Sequence, residues 1–133
     1  DKDVLIVDDS IVRGNTSREI VRMVREFGAK KVYFISACPP VKFPCFYGVD
    51  MPTKRELTAA QRTVAEIQEY MGVDILMYQE IDDLTEAVTR KGEHNIDRLC
   101  MACLDGWYVT GGVDTQKMDS MEDQRNLERS HLK

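Results

Sequence analysis

The chain has 133 residues with a formal net charge of −5, and 43% of its residues are hydrophobic and 31% charged. This size allows one compact domain or a piece of a larger one, since domains usually span about 100–200 residues. The acidic balance argues against a nucleic-acid partner. No apolar run reaches the roughly 18–20 residues of a membrane span, so a membrane is not expected as a partner either.

The first third of the sequence predicts a parallel β-α-β unit. Residues 4–7 form a short apolar run rich in β-branched side chains, which is typical of a strand buried on both faces. Residues 16–19 have the form of a capping box, and apolar residues then recur at helical spacing up to Gly28, which predicts a helix over 17–27. Residues 31–37 predict a second strand. Because the chain opens directly on a strand, we expect it to be part of a longer protein.

The middle of the sequence predicts a rigid loop, a long helix, a third strand and a short helix. Residues 38–45 contain three prolines, which exclude a regular helix or a central strand. A second capping box at 53–56 precedes a helical apolar stripe, which predicts one amphipathic helix of about five turns. Residues 73–78 predict a strand, and Asp82 or Asp83 can cap the helix that follows. The order β-α-β-loop-α-β-α predicts an α/β fold with a parallel sheet.

The pattern weakens beyond the third predicted helix, from residue 91 onward. A polar loop leads to a C-x-x-C motif at residues 100–103 and then to a polar segment of mixed charge, typical of a solvated helix or a frayed tail. His94 and His131 lie in polar surroundings and are interpreted as solvated. We therefore divide the chain into an α/β portion over 1–90 and a cysteine-containing loop with a polar helix or tail over 91–133.

Two adjacent carboxylates end the first predicted strand, where open α/β sheets place their ligands. The turn over residues 14–17 then brings backbone N–H groups and hydroxyls to the start of a helix, which favours an anion. A sugar phosphate would satisfy both, because carboxylates accept hydrogen bonds from vicinal hydroxyls while the helix start holds the phosphate. The candidate binding residues are Asp8, Asp9, Ser10, Arg13, Gly14, Asn15, Thr16 and Ser17.

This motif resembles the binding signature of phosphoribosyltransferases that use phosphoribosyl pyrophosphate (PRPP). With the segments 38–52, 56–57, 64–67 and 72–74, and with Gly106 and Tyr108, it is similar to the glutamine PRPP amidotransferase (amidophosphoribosyltransferase) family over most of residues 3–110. The resemblance implies the C-terminal portion of a type I phosphoribosyltransferase domain, with a Rossmann-like parallel sheet. It also implies a glycosyltransferase of purine biosynthesis, in which ammonia from glutamine displaces pyrophosphate from C1 of PRPP to give phosphoribosylamine.

The resemblance also implies roles and partners. It assigns Asp8 and Asp9 to the ribose hydroxyls and Mg²⁺, assigns residues 13–17 to the 5′-phosphate, and assigns no catalytic residue within this segment. The implied partners are PRPP, purine nucleotides as feedback inhibitors, the rest of the amidotransferase chain and further copies of the enzyme. Because the glutaminase part and the first half of the phosphoribosyltransferase sheet are not recognised, we expect the segment to be inactive alone.

A second hypothesis is a free-standing sugar-phosphate or nucleotide-binding module. The start of the sequence also resembles a response-regulator receiver domain, with Asp50 in the place of the phosphoacceptor. In a receiver that aspartate ends an apolar strand, whereas Asp50 follows the proline-rich loop. The receiver also gives no role to the cysteines, so we favour the amidotransferase hypothesis.

The four cysteines suggest a metal or cluster site. The start of the chain does not resemble a signal peptide, so we expect a cytoplasmic protein with reduced thiols. Cys100 and Cys103 can bind one metal or cluster, and Cys45 from the rigid loop can supply a third ligand. The resemblance implies a [4Fe–4S] cluster, with a fourth ligand upstream of this sequence. Cys38 is a possible substitute ligand, which leaves a four-cysteine zinc site or four unrelated thiols as alternatives.

Overall fold

The computed structural model describes residues 2–49, 51–90, 96, 98–113, 120 and 124. It shows helices packed on a parallel sheet, so the predicted α/β class is confirmed. In chain order the elements are β1 (Lys2–Asp8), α1 (Asn15–Glu26), β2 (Ala29–Ser36), a 3₁₀ helix (Lys54–Glu56), α2 (Thr58–Gln61), α3 (Val64–Met71), β3 (Ile75–Tyr78), α4 (Ile81–Thr89) and α5 (Ala102–Asp105).

Strand β2 lies in the centre of the sheet, with β1 and β3 parallel to it on either side. The register pairs Asp8 of β1 with Ser36 of β2, and Ser36 with Tyr78 of β3. Parallel strands end at the same edge, so these three residues mark the carboxyl edge of the sheet. This is the edge at which open α/β folds bind their ligands.

The sheet has one covered face and one open face. Helices α1 and α3 pack on the covered face and form the main core with it. The buried residues of this core are Ile11, Val21, Val32, Phe34, Ala59, Ile67, Met71, Val73 and Leu76. On the open face Leu5 and Val7 of β1 are 57% and 65% exposed, and Met77 of β3 is 53% exposed. The predicted burial of β1 on both faces is therefore not seen, because both helices lie on the same side.

Helix α1 begins earlier than predicted. Gly14 is its N-cap, with a left-handed φ of 78°, and no side chain caps the helix start. The predicted capping box at residues 16–19 is therefore wrong, since Thr16 already lies in the first turn. A glycine reaches this conformation without strain, so the helix can start directly after the turn.

The single five-turn helix predicted after residue 53 is also wrong. The chain instead forms the 3₁₀ helix, α2 and α3, because Leu57 and Arg62 both adopt extended conformations. Thr58 N–H donates to the carbonyl of Val12 over 2.9 Å instead of to a helical carbonyl. Thr63 then starts α3 with a capping box of its own, in which its hydroxyl accepts from the N–H of Glu66. A contact remote in sequence has thus overridden the helical pattern.

The last strand and helix of the α/β portion are close to the prediction. Strand β3 starts two residues later than expected. Glu80 occupies the N-cap of α4, and Asp82 and Asp83 lie in its first turn, so neither aspartate caps the helix as predicted. Their charges still favour the helix, because the start of a helix carries partial positive charge.

The proline-rich loop packs against α5 and forms no helix or strand in its described residues, as predicted. Backbone N–H groups of Lys42 and Phe43 both donate to the carbonyl of Cys103, over 2.9 and 3.0 Å. The hydroxyl of Tyr108 donates to the carbonyl of Pro44 over 2.6 Å. These bonds fasten the region after α4 to the first part of the chain. The division at residue 90 stays a prediction.

Some predicted features fall outside the described residues. His94, His131 and Asp50 do so, as does the polar C-terminal segment apart from Ser120 and Gln124. Among the residues that are described, no helix combines the length and the apolar character that a bilayer span requires.

Candidate functional site

The acidic pair lies where β1 ends, at the carboxyl edge of the sheet. Asp8 is the last residue of β1, and its carbonyl accepts the N–H of Ala37 over 2.9 Å. The Asp8 carboxylate accepts the N–H of Asp9 over 3.0 Å, and the Asp9 carboxylate accepts the N–H of Ser10 over 2.9 Å. In the described part of the chain neither carboxylate forms an ion pair. Both carboxylates therefore have acceptor oxygens available for a ligand that carries hydroxyls or a cation.

The start of α1 supplies the donors opposite this pair. The first backbone bond of the helix runs from Arg18 N to Gly14 O over 3.0 Å, so the N–H groups of residues 15–17 have no helical acceptor. Asn15 and Thr16 are exposed, whereas Ser17 is only 4% exposed. An anion can therefore reach the backbone N–H groups and the Thr16 hydroxyl, while the Ser17 side chain mainly packs inside.

The loop between β1 and α1 is anchored in the core by Ile11 and ends at Gly14. Ile11 is 1% exposed and belongs to the main core, so the middle of the loop is anchored in the protein interior. At Gly14 a Cβ atom would lie 3.6 Å from Cε1 of Tyr70 and 3.8 Å from side-chain atoms of Ile11 and Thr58. Those are ordinary contacts, so a larger residue would be opposed chiefly by the positive φ.

Arg13 is paired with an acidic residue. Its Nη2 and Nε donate to Oε1 of Glu56 over 3.0 and 3.2 Å. The other carboxylate oxygen of Glu56 accepts from the N–H and hydroxyl of Thr53, each over 3.0 Å. Burial alone would raise the pKa of Glu56, but the Thr53 hydrogen bonds and the Arg13 charge outweigh it and lower that pKa. Arg13 thus fastens the candidate binding loop, which is the loop between β1 and α1 (residues 9–14), to the 3₁₀ helix.

This pairing predicts acid sensitivity. A carboxyl whose pKa is lowered in the folded state contributes stability above its ordinary pKa of 4.5, and the contribution is lost as the pH falls through the lower folded value. We expect the free energy of unfolding to decrease less in Glu56→Gln than in the parent protein as the pH is lowered below 4.5. Urea unfolding at a series of acidic pH values measures this decrease in both proteins. An equal acid dependence in the parent and the variant would contradict the role given to Glu56.

The cysteines share one neighbourhood around the proline-rich loop and α5. All four are free thiols, with Cys100 exposed and the others half-buried. Burial raises the pKa of the Cys103 thiol, and the nearby Cys38, Cys45 and Cys100 add to that rise. Burial raises the pKa of Tyr108 to about 12, and the thiols of Cys103 and Cys45, with Tyr47 and Asp105, add to that rise. The structure therefore brings together the cysteines that the sequence analysis singled out.

The donor chemistry of this neighbourhood fits an iron–sulfur cluster, because thiolates are the usual ligands of such clusters. The bonds from Lys42 and Phe43 to Cys103 fasten the Cys45 loop to the C-x-x-C segment. Within the residues described, however, no three Cys, His, Asp or Glu side chains are spaced to hold one metal ion. The thiols are thus neighbours that are not yet arranged as a ligand set.

Sequence reasoning missed Tyr70 at this site. Tyr70 lies in the last turn of α3, and its hydroxyl donates to Oδ1 of Asn15 over 2.9 Å. The only sequence signal is a tyrosine beside the apolar stripe residues Ile67 and Met71, where its ring is partly buried and its polar end can reach another element. Which element it reaches follows from the tertiary packing.

No family model matches the chain. The chain nevertheless has clear sequence relatives that are called amidophosphoribosyltransferase. The chain is 49% identical to the one from Pasteurella multocida and 48% identical to the one from Escherichia coli, in both cases over 95% of the chain and 25% of the relative. It is 49% identical to the one from Methanocaldococcus jannaschii, over 82% of the chain and 22% of the relative. The chain therefore spans about a quarter of the length of these relatives.

Solved structures agree with the sequence relatives. The glutamine PRPP amidotransferase of Bacillus subtilis, complexed with ADP and GMP, matches with a TM-score of 0.71 at 43% identity. A structure described as the allosteric regulatory enzyme of purine biosynthesis matches with a TM-score of 0.72 at 43% identity. Each match covers 80% of this chain and 23% of the other.

The chain has an acidic pair followed by a helix start at the carboxyl edge of a parallel sheet, and it matches these solved structures. Together these observations define a segment of a phosphoribosyltransferase-type α/β domain. The chain belongs to the amidophosphoribosyltransferase family.

Proposed function

We propose that this chain is the PRPP-binding segment of an enzyme that makes phosphoribosylamine from PRPP and glutamine. The observation that carries the proposal is the loop after β1, which begins at the acidic pair and leads into the uncapped start of α1. The sequence relatives, named for this activity, support the same function. Because the chain spans only a quarter of them, the activity is proposed for the complete protein that contains it.

The residues of the loop have complementary roles in this reaction. The carboxylates of Asp8 and Asp9 accept hydrogen bonds from the ribose hydroxyls, which fixes the sugar. The N–H groups of residues 15–17, with the Thr16 hydroxyl, hold the 5′-phosphate. The sugar is then bound at both ends, so C1 is presented to the incoming ammonia in one orientation. The carboxylates also stabilise the positive charge that develops on the sugar ring as pyrophosphate leaves.

Magnesium fits the same loop. Two carboxylates at the carboxyl edge of a parallel sheet, which form no ion pair with any described residue, are suitable oxygen ligands for Mg²⁺. When bound, the ion neutralises charge on the leaving pyrophosphate. The proposed ligands in this chain are Asp8 and Asp9.

The test is an assay of the complete protein with PRPP, Mg²⁺ and either glutamine or ammonia. We expect one pyrophosphate to be released for each PRPP consumed, and we expect this release to require PRPP, Mg²⁺ and the nitrogen donor together. Saturable phosphorylation of Asp50 by acetyl phosphate, without pyrophosphate release from PRPP, would instead support the receiver hypothesis. The described residues 46–49 form no strand before Asp50, which disfavours that outcome.

We also propose that Cys45, Cys100 and Cys103 bind a [4Fe–4S] cluster together with a ligand from outside this chain. The shared neighbourhood of the thiols and the bonds that fasten the proline-rich loop to Cys103 support it. Binding would require the side chains to turn towards one another.

This proposal predicts different results for two serine substitutions. In anaerobically purified complete protein, Cys100→Ser should remove most of the iron and the visible absorbance, because it deletes a proposed ligand. The matched variant Cys38→Ser should keep both. Iron content and absorbance spectra provide the measurement. Zinc in place of iron, lost equally in both variants, would indicate the four-cysteine zinc site instead.

Regulation by purine nucleotides is the remaining proposal. The B. subtilis structure holds ADP and GMP, and we propose that the complete protein also binds purine nucleotides and is inhibited by them. Inhibition of pyrophosphate release by added GMP or ADP tests this. We further propose a cytoplasmic enzyme made of several copies of the complete chain.

A further inference from the structure

We infer that Tyr70 is a positioning residue, which orients Asn15 so that the side-chain NH₂ group of Asn15 donates to the bound phosphate. The inference rests on the proposed function for the identity of the ligand. Tyr70 lies on α3, some fifty-five positions from Asn15 in sequence, and the two side chains meet at the start of α1. The contact joins α3 to the binding loop.

The direction of the hydrogen bond sets the orientation of the amide. The Tyr70 hydroxyl donates to Oδ1 of Asn15, so the acceptor end of the amide faces α3. The NH₂ group takes no part in this bond, and Asn15 is exposed in the first turn of α1. An amide carries two donors on its nitrogen and its acceptor sites on its oxygen. Engaging the oxygen therefore leaves the donor end for an anion at the helix start.

The Tyr70 ring is itself held in place. The guanidinium groups of Arg18 and Arg62 lie 4.9 and 4.8 Å from the ring centroid, which places two cation–π contacts on one side chain. Arg62 also donates to the hydroxyl of Thr58 over 3.3 Å. The ring packs against the main core and lies 3.6 Å from the position of a Cβ at Gly14. A ring fixed from α1, α2 and the loop can hold its hydroxyl at one point.

These contacts also bring two positive charges to Tyr70, whose hydroxyl bonds Asn15 at the start of α1. Arg18 belongs to the second turn of α1 and Arg62 to the segment between α2 and α3. Their positions do not depend on the Tyr70 hydroxyl, because the contacts are made with the ring. A phenylalanine at position 70 therefore keeps the cation–π contacts and removes only the hydrogen bond.

The test is a double-mutant cycle in the complete protein with Tyr70→Phe, Asn15→Ala and both together. Loss of one hydrogen bond should raise the KM for PRPP about 2- to 10-fold in Tyr70→Phe, with kcat unchanged. Asn15→Ala should raise it at least as much. If Tyr70 acts through Asn15, the double variant should match Asn15→Ala alone, because the second substitution has nothing left to remove. Tyr47→Phe is the matched control, since it deletes a tyrosine hydroxyl that bonds Thr110 instead of the binding loop.

A second measurement separates this inference from the proposed function. It is the dissociation constant for ribose 5-phosphate, measured by calorimetry on the unaltered protein, the two single variants and the double variant. Coupling between the two substitutions in ribose 5-phosphate binding, without turnover of PRPP, would support the inference and overturn the enzyme activity. An unchanged KM and dissociation constant in Tyr70→Phe, or additive effects in the double variant, would overturn the inference alone. Failure of the unaltered protein to bind ribose 5-phosphate would overturn both.

Discussion

In the complete protein, replacing both Asp8 and Asp9 by asparagine is expected to lower kcat/KM for PRPP by about 10²–10³-fold or more. A loss of that size is typical of removing one preorganised electrostatic group. Asparagine keeps the size of the side chain and one acceptor oxygen, but it removes the negative charge. The variant therefore loses the attraction for the cation of the substrate complex and for the positive charge that develops on the ribose. Neither carboxylate lies in the core, so folding should be preserved.

The matched control is the same double change at Asp82 and Asp83. These residues are also adjacent aspartates, but they lie in the first turn of α4. Their replacement should weaken only the favourable interaction with the start of that helix, which is about 0.3–1 kcal/mol for each charge, and leave kcat/KM unchanged. Steady-state kinetics in saturating Mg²⁺, with circular dichroism to check the fold, measure both. Equal losses in the two variants would mean that the acidic pair after β1 has no special role.

The second large effect is on stability. Phe34→Ala is expected to lower the free energy of unfolding by about 3–5 kcal/mol, because a fully buried aromatic side chain leaves a cavity that its neighbours fill only in part. Phe34 is 0% exposed in the central strand β2 and contacts the core formed with α1 and α3. Native proteins are stable by only about 5–15 kcal/mol, so the change removes a large share of the total.

Phe27→Ala provides the comparison. It deletes the same atoms at a position that is 93% exposed, at the end of α1, and so should change the free energy of unfolding far less. Urea unfolding followed by circular dichroism gives both values. Similar losses at the two positions would show that the packing of β2 against α1 and α3 is not what holds the fold together.

The sequence predicts those parts of the fold that depend on neighbouring residues. The β-α-β unit was found because its apolar spacing and Gly28 act locally. The single long helix was wrong because the N–H of Thr58 bonds to Val12, a partner more than forty positions away. Local spacing carries no information about such a bond. For the same reason, Glu56 was recognised as part of a capping box but not as the partner of Arg13.

The position of the candidate loop could be predicted from the sequence because its residues are consecutive, whereas their binding roles stay a prediction. A loop that carries both the acidic pair and the proposed phosphate-binding turn can be identified without knowing the tertiary structure. Its supports could not be found in this way. Tyr70 reaches Asn15 only after α3 has packed beside α1, and the open face of β1 follows from where the helices lie.

Three consecutive residues of this chain connect the two regions to which function is assigned. Glu56 holds Arg13 and Thr58 holds Val12, while Leu57 between them is fully buried with Val41 and with Leu104 of α5. A displacement of α5 would therefore reach Leu57, which lies between the two residues that support the loop. If a metal bound at the cysteines displaced α5, its binding and PRPP binding at the loop would be thermodynamically linked. If metal loading tightens PRPP binding by some factor, PRPP must tighten metal binding by the same factor.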